Sequence, residues 1–329
     1  MSLDRINKEE EVDVSFPSPE ADGTYADAKG GTEMVAERIT NLLKKQGLSD
    51  KFNIIHSRVR EIDPNKKNIL VCHDTWNDPE SEHLKDPKSR ARFDKIVFVS
   101  NQQFQSYHYN LGVPYSESHV MRNAIDPIEL DGSKPTDKIH LIYHTTPHRG
   151  LELLVPCFER LAEHFEGKVH LDVYSSFNAY GWAERDIPYK DLFKRVDLHP
   201  NMTYHGYQPN DVVREALKQA HIFAYPNIWP ETSCIAAIEA MSAQCEIVCP
   251  NHAALADTTA GLASMYQYNE SPQEHANIFI SELAASINNH RHENQQNKMA
   301  FAKNYVDNFY NWEYRESEWI SLFNKLLRE

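Results

Sequence analysis

Short apolar runs rich in β-branched residues alternate along most of this chain with longer segments of helical period, and that alternation restricts the fold more than any other feature. The runs are Asn68–Cys72 (NILVC), Lys95–Ser100 (KIVFVS), Ile139–His144 (IHLIYH), Val169–Tyr174 (VHLDVY), His221–Pro226 (HIFAYP) and Glu246–Pro250 (EIVCP). They are continuously apolar rather than alternating in polarity, which is the pattern of strands buried on both faces. The spacing of apolar residues between them predicts helices over Gly31–Gln46, Leu151–Phe165, Asp211–Ala220 and Ser233–Ala243. Strand and helix in repetition predict parallel sheets covered on both sides. After residue 270 the strand signals stop, and helical stretches follow near 272–291, 293–307 and 312–327. One weaker run, Val12–Phe16 (VDVSF), precedes a Pro- and Gly-containing loop and the first helix.

The segment Asp126–Lys138 (DPIELDGSKPTDK) is polar, carries two prolines and a glycine, and has strand–helix patterns on both sides. It is the expected domain boundary, and 329 residues suit two domains. The charge balance of 34 − 48 = −14 argues against bulk nucleic-acid binding, which needs many cations, while leaving room for a local phosphate site. The apolar stretches fall far short of the ~20 residues that cross a bilayer. The opening residues, MSLDRINKEEEVDV, lack the apolar core of a secretory signal. A cytoplasmic protein with at most peripheral membrane contact is the expectation, no basic amphipathic helix being evident. Cys72, Cys157, Cys234, Cys245 and Cys249 form no C-x-x-C pair and have no His at zinc-ligand spacing, so they are expected as reduced structural thiols.

The densest chemistry lies in Tyr225–Ala243, YPNIWPETSCIAAIEAMSA. A strand ends at Tyr225–Pro226, a loop follows, and a helix is expected from Thr232 or Ser233, either of which makes a good N-cap. The backbone N–H groups of Ser233 and Cys234 would then face outward, where an anion binds. Glu231 stands at that mouth, and Glu239 lies roughly 12 Å further along the helix at ~1.5 Å per residue. A carboxylate accepts paired hydrogen bonds from adjacent sugar hydroxyls. Two carboxylates flanking a helix start therefore suit a ligand made of a sugar, a diphosphate and a second sugar. From the residues alone a second reading stands beside it, in which Glu231 is a solvated first-turn residue and only Glu239, interrupting the apolar Ile235, Ile238, Met241 face, calls for an explanation.

Glu231-x7-Glu239 followed by Ala240-Met241, in the context AHIFAYPNIWPETSCIAAIEAMSA, resembles the E-x7-E signature of the retaining family 4 glycosyltransferases (glycosyl transferases group 1) with the GT-B fold. The resemblance runs over about 30–327, dense from 139 to 262 and sparse before 125. It implies an α/β architecture of two Rossmann-like domains facing across a cleft: residues 1–130, shortened and acceptor-side, completed by a terminal helix over 309–329 that crosses back, and a donor domain over 131–308. It implies that Glu231 holds donor-sugar hydroxyls, that Glu239 holds the nucleotide ribose, and that Thr232, Ser233 and Cys234 offer backbone N–H groups to the diphosphate.

The turn TTPHRGLELL (Thr145–Leu154) is similar to the family's basic turn, with Arg149 at the Lys position as the diphosphate cation and Tyr143 where an Arg is usual. TYHGYQP (Thr203–Pro209) is similar to the segment that lines the base pocket, which makes Tyr207 and Gln208 base-contact candidates. Gly30-Gly31-Thr32 resembles the glycine-rich loop facing the donor across the cleft. His73, directly after a strand, occupies a place where the family has a His contacting the donor sugar; a structural His bonded to Asp74 or backbone is the other reading. Val99-Ser100, Asn123–Pro127 and Asn311-Trp312-Glu313 resemble further family marks. Departures are Tyr143, Ala124 and Gln244, the last two where Gly is usual.

The resemblance thus implies transfer of a sugar from a nucleotide-sugar donor to a saccharide or lipid-linked acceptor with retention. No cofactor and no metal are expected: no D-x-D motif stands in the usual setting, and fixed cations would do a metal's work. The catalytic candidates are His73, Arg149 and Glu231. A nucleotide-sugar epimerase and a non-catalytic nucleotide-sugar-binding protein are the alternatives.

Overall fold

The structure is a computed structural model that describes Glu20, Thr24 and residues 29–329. The expected strand Val12–Phe16 lies outside the described residues, as does most of the loop after it. The first half of the chain forms α1 (Gly31–Gln46), β1 (Phe52–His56), β2 (Lys67–Cys72), the short α2 (Pro87–Arg90), β3 (Lys95–Phe98), α3 (Asn101–Leu111) and β4 (Ser118–Val120). Its sheet has four parallel strands in the order β1-β2-β3-β4. Then come β5 (Ile139–Tyr143), α4 (Leu151–His164), β6 (Val169–Val173), α5 (Lys190–Leu198), β7 (Met202–Tyr204), α6 (Asn210–Gln219), β8 (Ile222–Ala224), α7 (Ile235–Ser242), β9 (Glu246–Pro250), α8 (Leu255–Thr259) and β10 (Ser264–Tyr266). This second sheet is also parallel, in the order β10-β9-β8-β5-β6-β7. Counted within the domain, that is the doubly wound order 3-2-1-4-5-6, with its reversal between β5 and β8. The chain is therefore α/β with two Rossmann-like halves.

The helices end where their sequence says they should. Gly47 and Gly112 terminate α1 and α3 in the left-handed conformation, and the Ser100 side chain caps α3 by accepting from the Gln103 N–H. Gln244, where the family usually has Gly, sits at φ 55° after α7, so a glutamine here bears a conformation that glycine adopts without cost. The five cysteines are buried free thiols.

Three further helices complete the molecule: α9 (Pro272–Asn289), α10 (Glu293–Phe309) and α11 (Trp312–Leu326). Phe279, Leu283 and Val306, from α9 and α10, join the core of the six-stranded half. By contrast Trp312, Trp319, Leu322 and Phe323 of α11 pack with Val35, Ile39, Phe52 and Ile69 of the four-stranded half. The crossing is made at Ile125, whose N–H donates to Tyr310 O at 2.7 Å and whose carbonyl accepts from Trp312 N at 3.2 Å. Among the described residues no helix is long and apolar enough to cross a membrane.

Strands β1, β4, β7 and β10 have no counterpart among the apolar runs of the sequence. In β1 the run is interrupted by Asn53, whose side chain donates to Asn68 Oδ1 at 2.9 Å on the neighbouring strand, a polar pair in register inside the sheet. The other three are three-residue strands at sheet edges, short and mostly half-buried, unlike the equally short but fully buried β8.

Candidate functional site

In a doubly wound sheet the loops leaving adjacent strands at the reversal point run to opposite faces and open a crevice at the strands' carboxyl ends. Here those loops are Thr145–Gly150 after β5 and Tyr225–Cys234 after β8. A cavity of ≈ 1360 Å³ lies at that point and extends to the other domain. Gly30, Gly31, Thr32 and His73 line it from the four-stranded half, and Arg149, Tyr207, Gln208, Glu231, Thr232, Ser233, Cys234 and Glu239 line it from the six-stranded half. All the candidate residues therefore face one space.

In the cavity's lining Arg149 Nη1 and Glu231 Oε1 form an ion pair, and from behind it the Tyr225 hydroxyl donates to the same carboxylate oxygen. Both members are largely buried, with side-chain exposures of 17% and 7%. Burial works against the Arg149 charge, but Glu231 alongside holds the guanidinium protonated well above its ordinary range. The short turn that carries Arg149 is fixed from below. The Tyr143 hydroxyl donates to Thr146 O at 2.9 Å, and Arg149 Nε donates to Thr146 Oγ1 at 3.1 Å. Tyr143 is fully buried and supports the loop, so it does not supply the missing second cation. Gly150 follows at φ 124°, and a Cβ there would overlap the Pro226 carbonyl, so glycine lets the two loops close on each other.

The start of α7 differs from expectation. The helix begins at Ile235 with Cys234 in the cap position, and no side chain caps it. The Thr232 hydroxyl is engaged elsewhere, donating to His73 O at 2.7 Å across the cleft. Glu231 consequently is not a solvated first-turn residue; it is buried and paired. The first helical N–H groups have no carbonyl one turn earlier to accept them, and Ser233, Cys234, Ile235 and Ala236 at this end all line the cavity.

Glu239 is 3% exposed and accepts from Asn210 Nδ2 at 3.1 and 3.2 Å and from Arg214 Nη1 at 3.0 Å. Burial pushes its carboxyl pKa up, opposed by Arg214 and Asn210. Arg214 also donates through Nη2 to Asp126 O at 2.6 Å, tying this carboxylate to the segment between the domains.

On the opposite wall His73 Nε2 lies 3.0 Å from Nδ1 of His56, which is 1% exposed at the end of β1. The two rings are stacked, and the His73 backbone N–H donates to Ser57 Oγ at 2.8 Å. Burial, then the neighbouring His56 and Arg58, press the His73 pKa well below the usual imidazole value, so the ring is neutral at pH 7. Among the described residues the His73 ring bonds neither Asp74 nor backbone; its partner is His56. Tyr207 and Gln208 sit on the loop after β7, where Gln208 Nε2 donates to His205 O at 3.0 Å. Gly30 packs under the ring of Tyr180, which leaves no room for a Cβ, and Tyr180 OH is 3.4 Å from Arg149 Nη2.

His56, Tyr225, Asn210 and Arg214 were missed by sequence reasoning. Tyr225 alone carried a signal, standing near the end of an apolar run that leads into the Glu231 loop. His56 belongs to the unrecognised β1, and Asn210 and Arg214 meet Glu239 only through the packing of α6 on α7. Among the described residues, no three His, Cys, Asp or Glu side chains converge as a metal site.

Residues 131–268 match the family model described as Glycosyl transferases group 1. A search of curated protein sequences gives no match. Among solved structures, a glycosyltransferase from Rickettsia africae superposes with a TM-score of 0.68 at 14% identity, covering 91% of this chain and 81% of that one. A sucrose-phosphate synthase from Thermosynechococcus elongatus gives a TM-score of 0.62 at 14% identity, with coverages of 90% and 78%. HepE of Anabaena, solved in complex with UDP, gives 0.59 at 14% identity, with coverages of 79% and 72%. At these identities the likeness speaks for the fold, and the family match speaks for the domain that holds Arg149, Glu231 and Glu239. The chain is thus a two-domain GT-B protein whose residues 131–268 resemble the glycosyl transferases group 1 family.

Proposed function

We propose that this protein transfers a sugar from a nucleotide-sugar donor to a saccharide or lipid-linked acceptor, with retention of anomeric configuration and without a metal. The observation that carries the reading is the placement of Glu231 and Glu239, both buried, along one cavity with Arg149 and the open end of α7 beside them. A UDP-, GDP- or ADP-type donor would set its ribose hydroxyls on Glu239, its diphosphate between Arg149 and the N–H groups at Ser233–Cys234, and its sugar against Glu231. Tyr207 and Gln208 would border the base.

In this reading the C1–O bond to the diphosphate breaks while the acceptor oxygen bonds C1 from the same face, and the acceptor proton passes to a donor phosphate oxygen. Negative charge then grows on the leaving diphosphate, where a fixed guanidinium and helix-end dipoles stabilise the transition state more than the ground state. Glu231, already bonded to Arg149 and Tyr225, needs no reorganisation to accept sugar hydroxyls. His73, neutral and held by His56, offers a hydrogen-bonding nitrogen to the sugar from the opposite wall. HepE of Anabaena was solved with UDP, and a pneumococcal O-GlcNAc transferase of the same fold with UDP and GlcNAc, which supports a nucleotide-sugar ligand.

The test is nucleoside diphosphate release from a panel of UDP-, GDP- and ADP-sugars, with and without EDTA. Release from one base series, unchanged by EDTA and lost in Arg149→Ala, is expected. Nucleotide binding without release from any donor would point instead to a non-catalytic binding protein.

A further inference from the structure

Trp229 is 43% exposed, yet it lines the cavity two residues before Glu231. Its position is set rather than left loose. Asn227, fully buried, donates through Nδ2 to Trp229 O at 2.6 Å and accepts from Trp229 N at 3.0 Å through Oδ1. The indole meets the His148 ring edge to face at 4.7 Å and 83°, and His148 in turn stacks on Phe177 at 5.0 Å and 16°. The Arg149 guanidinium lies 5.9 Å from the indole centroid. An indole with Arg149 over one face is thus left partly open to a polar cavity beside the buried carboxylate that the proposed donor sugar would contact.

We propose that Trp229 is the stacking platform which the donor-side loop contributes to a saccharide acceptor subsite, the four-stranded half supplying the opposite wall, an inference that rests on the donor reading above. A pyranose presents an apolar face of C–H groups carrying partial positive charge and a rim of hydroxyls. An indole face, negative at its centre, attracts the first, while the surrounding polar groups take the second. A diphosphate has no face to stack. The base end of the cavity is marked by Tyr207, Gln208 and the Asn210–Glu239 contact, whereas Trp229 belongs with His148, Arg149 and Glu231 at the sugar end. An acceptor ring on Trp229 would place a hydroxyl next to the donor sugar carbon without occupying the nucleotide groove.

The experiment is saturation-transfer NMR with methyl α- and β-pyranosides of glucose, galactose, mannose and N-acetylglucosamine. It is run in the presence of the nucleoside diphosphate that raises the wild-type Tm. Wild type is expected to transfer saturation to at least one glycoside. Binding should be weaker on the order of tenfold in Trp229→Ala and largely kept in Trp229→Phe, with the nucleotide Tm shift equal in all three proteins. The proposal is overturned if the nucleotide-bound wild type binds none of the glycosides, if Trp229→Ala binds them as well as wild type, or if that variant loses the nucleotide instead. A wild type whose Tm no nucleotide raises would remove the donor reading itself, and this subsite with it.

Discussion

Arg149 and Glu231 form an ion pair that solvent scarcely reaches, and the Tyr225 hydroxyl donates to the same carboxylate. Removing one member of such a pair strands the other in a poorly solvated site, at a cost of about 3–5 kcal/mol. Arg149→Ala should therefore lower stability in chemical denaturation by roughly that amount, and Glu231→Gln in the Arg149→Ala background should recover part of it. A surface-exposed arginine would show neither effect. On the proposed reading, His56 at the other wall orients His73 rather than touching substrate. His56→Leu is expected to cut turnover about tenfold, the usual scale for a lost buried hydrogen bond that orients a reacting group, with the nucleotide Tm shift unchanged. His56→Asn, which restores a polar partner, should recover part of the rate; a loss of nucleotide binding in His56→Leu would contradict the assignment. At this scale the sequence was readable where function is written as spacing. Glu231 and Glu239 stand out because a carboxylate eight residues along an apolar helix is unexpected. Asn210 and Arg214, which hold Glu239, come from another element, α6, and contacts between elements leave no local pattern.

The elements that build the site are the two loops leaving β5 and β8. The first is unusual in carrying His144 and His148, whose pKa values are pushed down to about 3, in both cases chiefly by burial and for His148 also by Arg149 and Arg185. An imidazole that stays neutral when folded and takes up a proton when unfolded makes stability rise with pH between about 3 and its ordinary 6.5 and leaves it flat above. Acid titration of the Tm should show this slope. His144→Leu should reduce the slope and leave the share of His148 and the other buried imidazoles, because the His144 ring packs on Phe223 at 4.5 Å with a buried, unpartnered Nε2. An unchanged slope would mean that His144 does not contribute to the titration. The same elements show why boundaries were harder to read than existence. The strand–helix alternation marks α7, but its first turn yields to tertiary demand, with Thr232 spent on His73 across the cleft and Cys234 left at the cap. Edge strands β4, β7 and β10 were invisible because they are short and mostly half-buried, unlike the equally short but fully buried β8.

For the whole molecule, α11 belongs by sequence to the carboxyl end and by packing to the amino-terminal sheet. Trp319 is 2% exposed within a cluster shared with Val35, Ile39, Phe52 and Ile69. Trp319→Ala should destabilise the protein by about 3–5 kcal/mol, and the loss should be seen in the four-stranded half by hydrogen exchange. Protection lost only in the six-stranded half would contradict that assignment. The two-domain α/β plan was legible because continuous apolar strands declare parallel sheets, and the polar stretch at 126–138 separates them. The cleft was legible only through the family resemblance, since the contacts that join its walls, Thr232 to His73 and Lys29 to Ala179, link residues far apart in the chain. On the proposed reading, Glu239 holds the ribose of a nucleotide in this cleft. The measurement that tests it most directly is the Tm of wild type and Glu239→Gln with UDP, GDP and ADP. Ligand that binds only the folded protein raises Tm by mass action. One nucleotide should raise the wild-type Tm and lose most of that effect in Glu239→Gln; no shift in wild type, or an equal shift in the variant, would contradict the account.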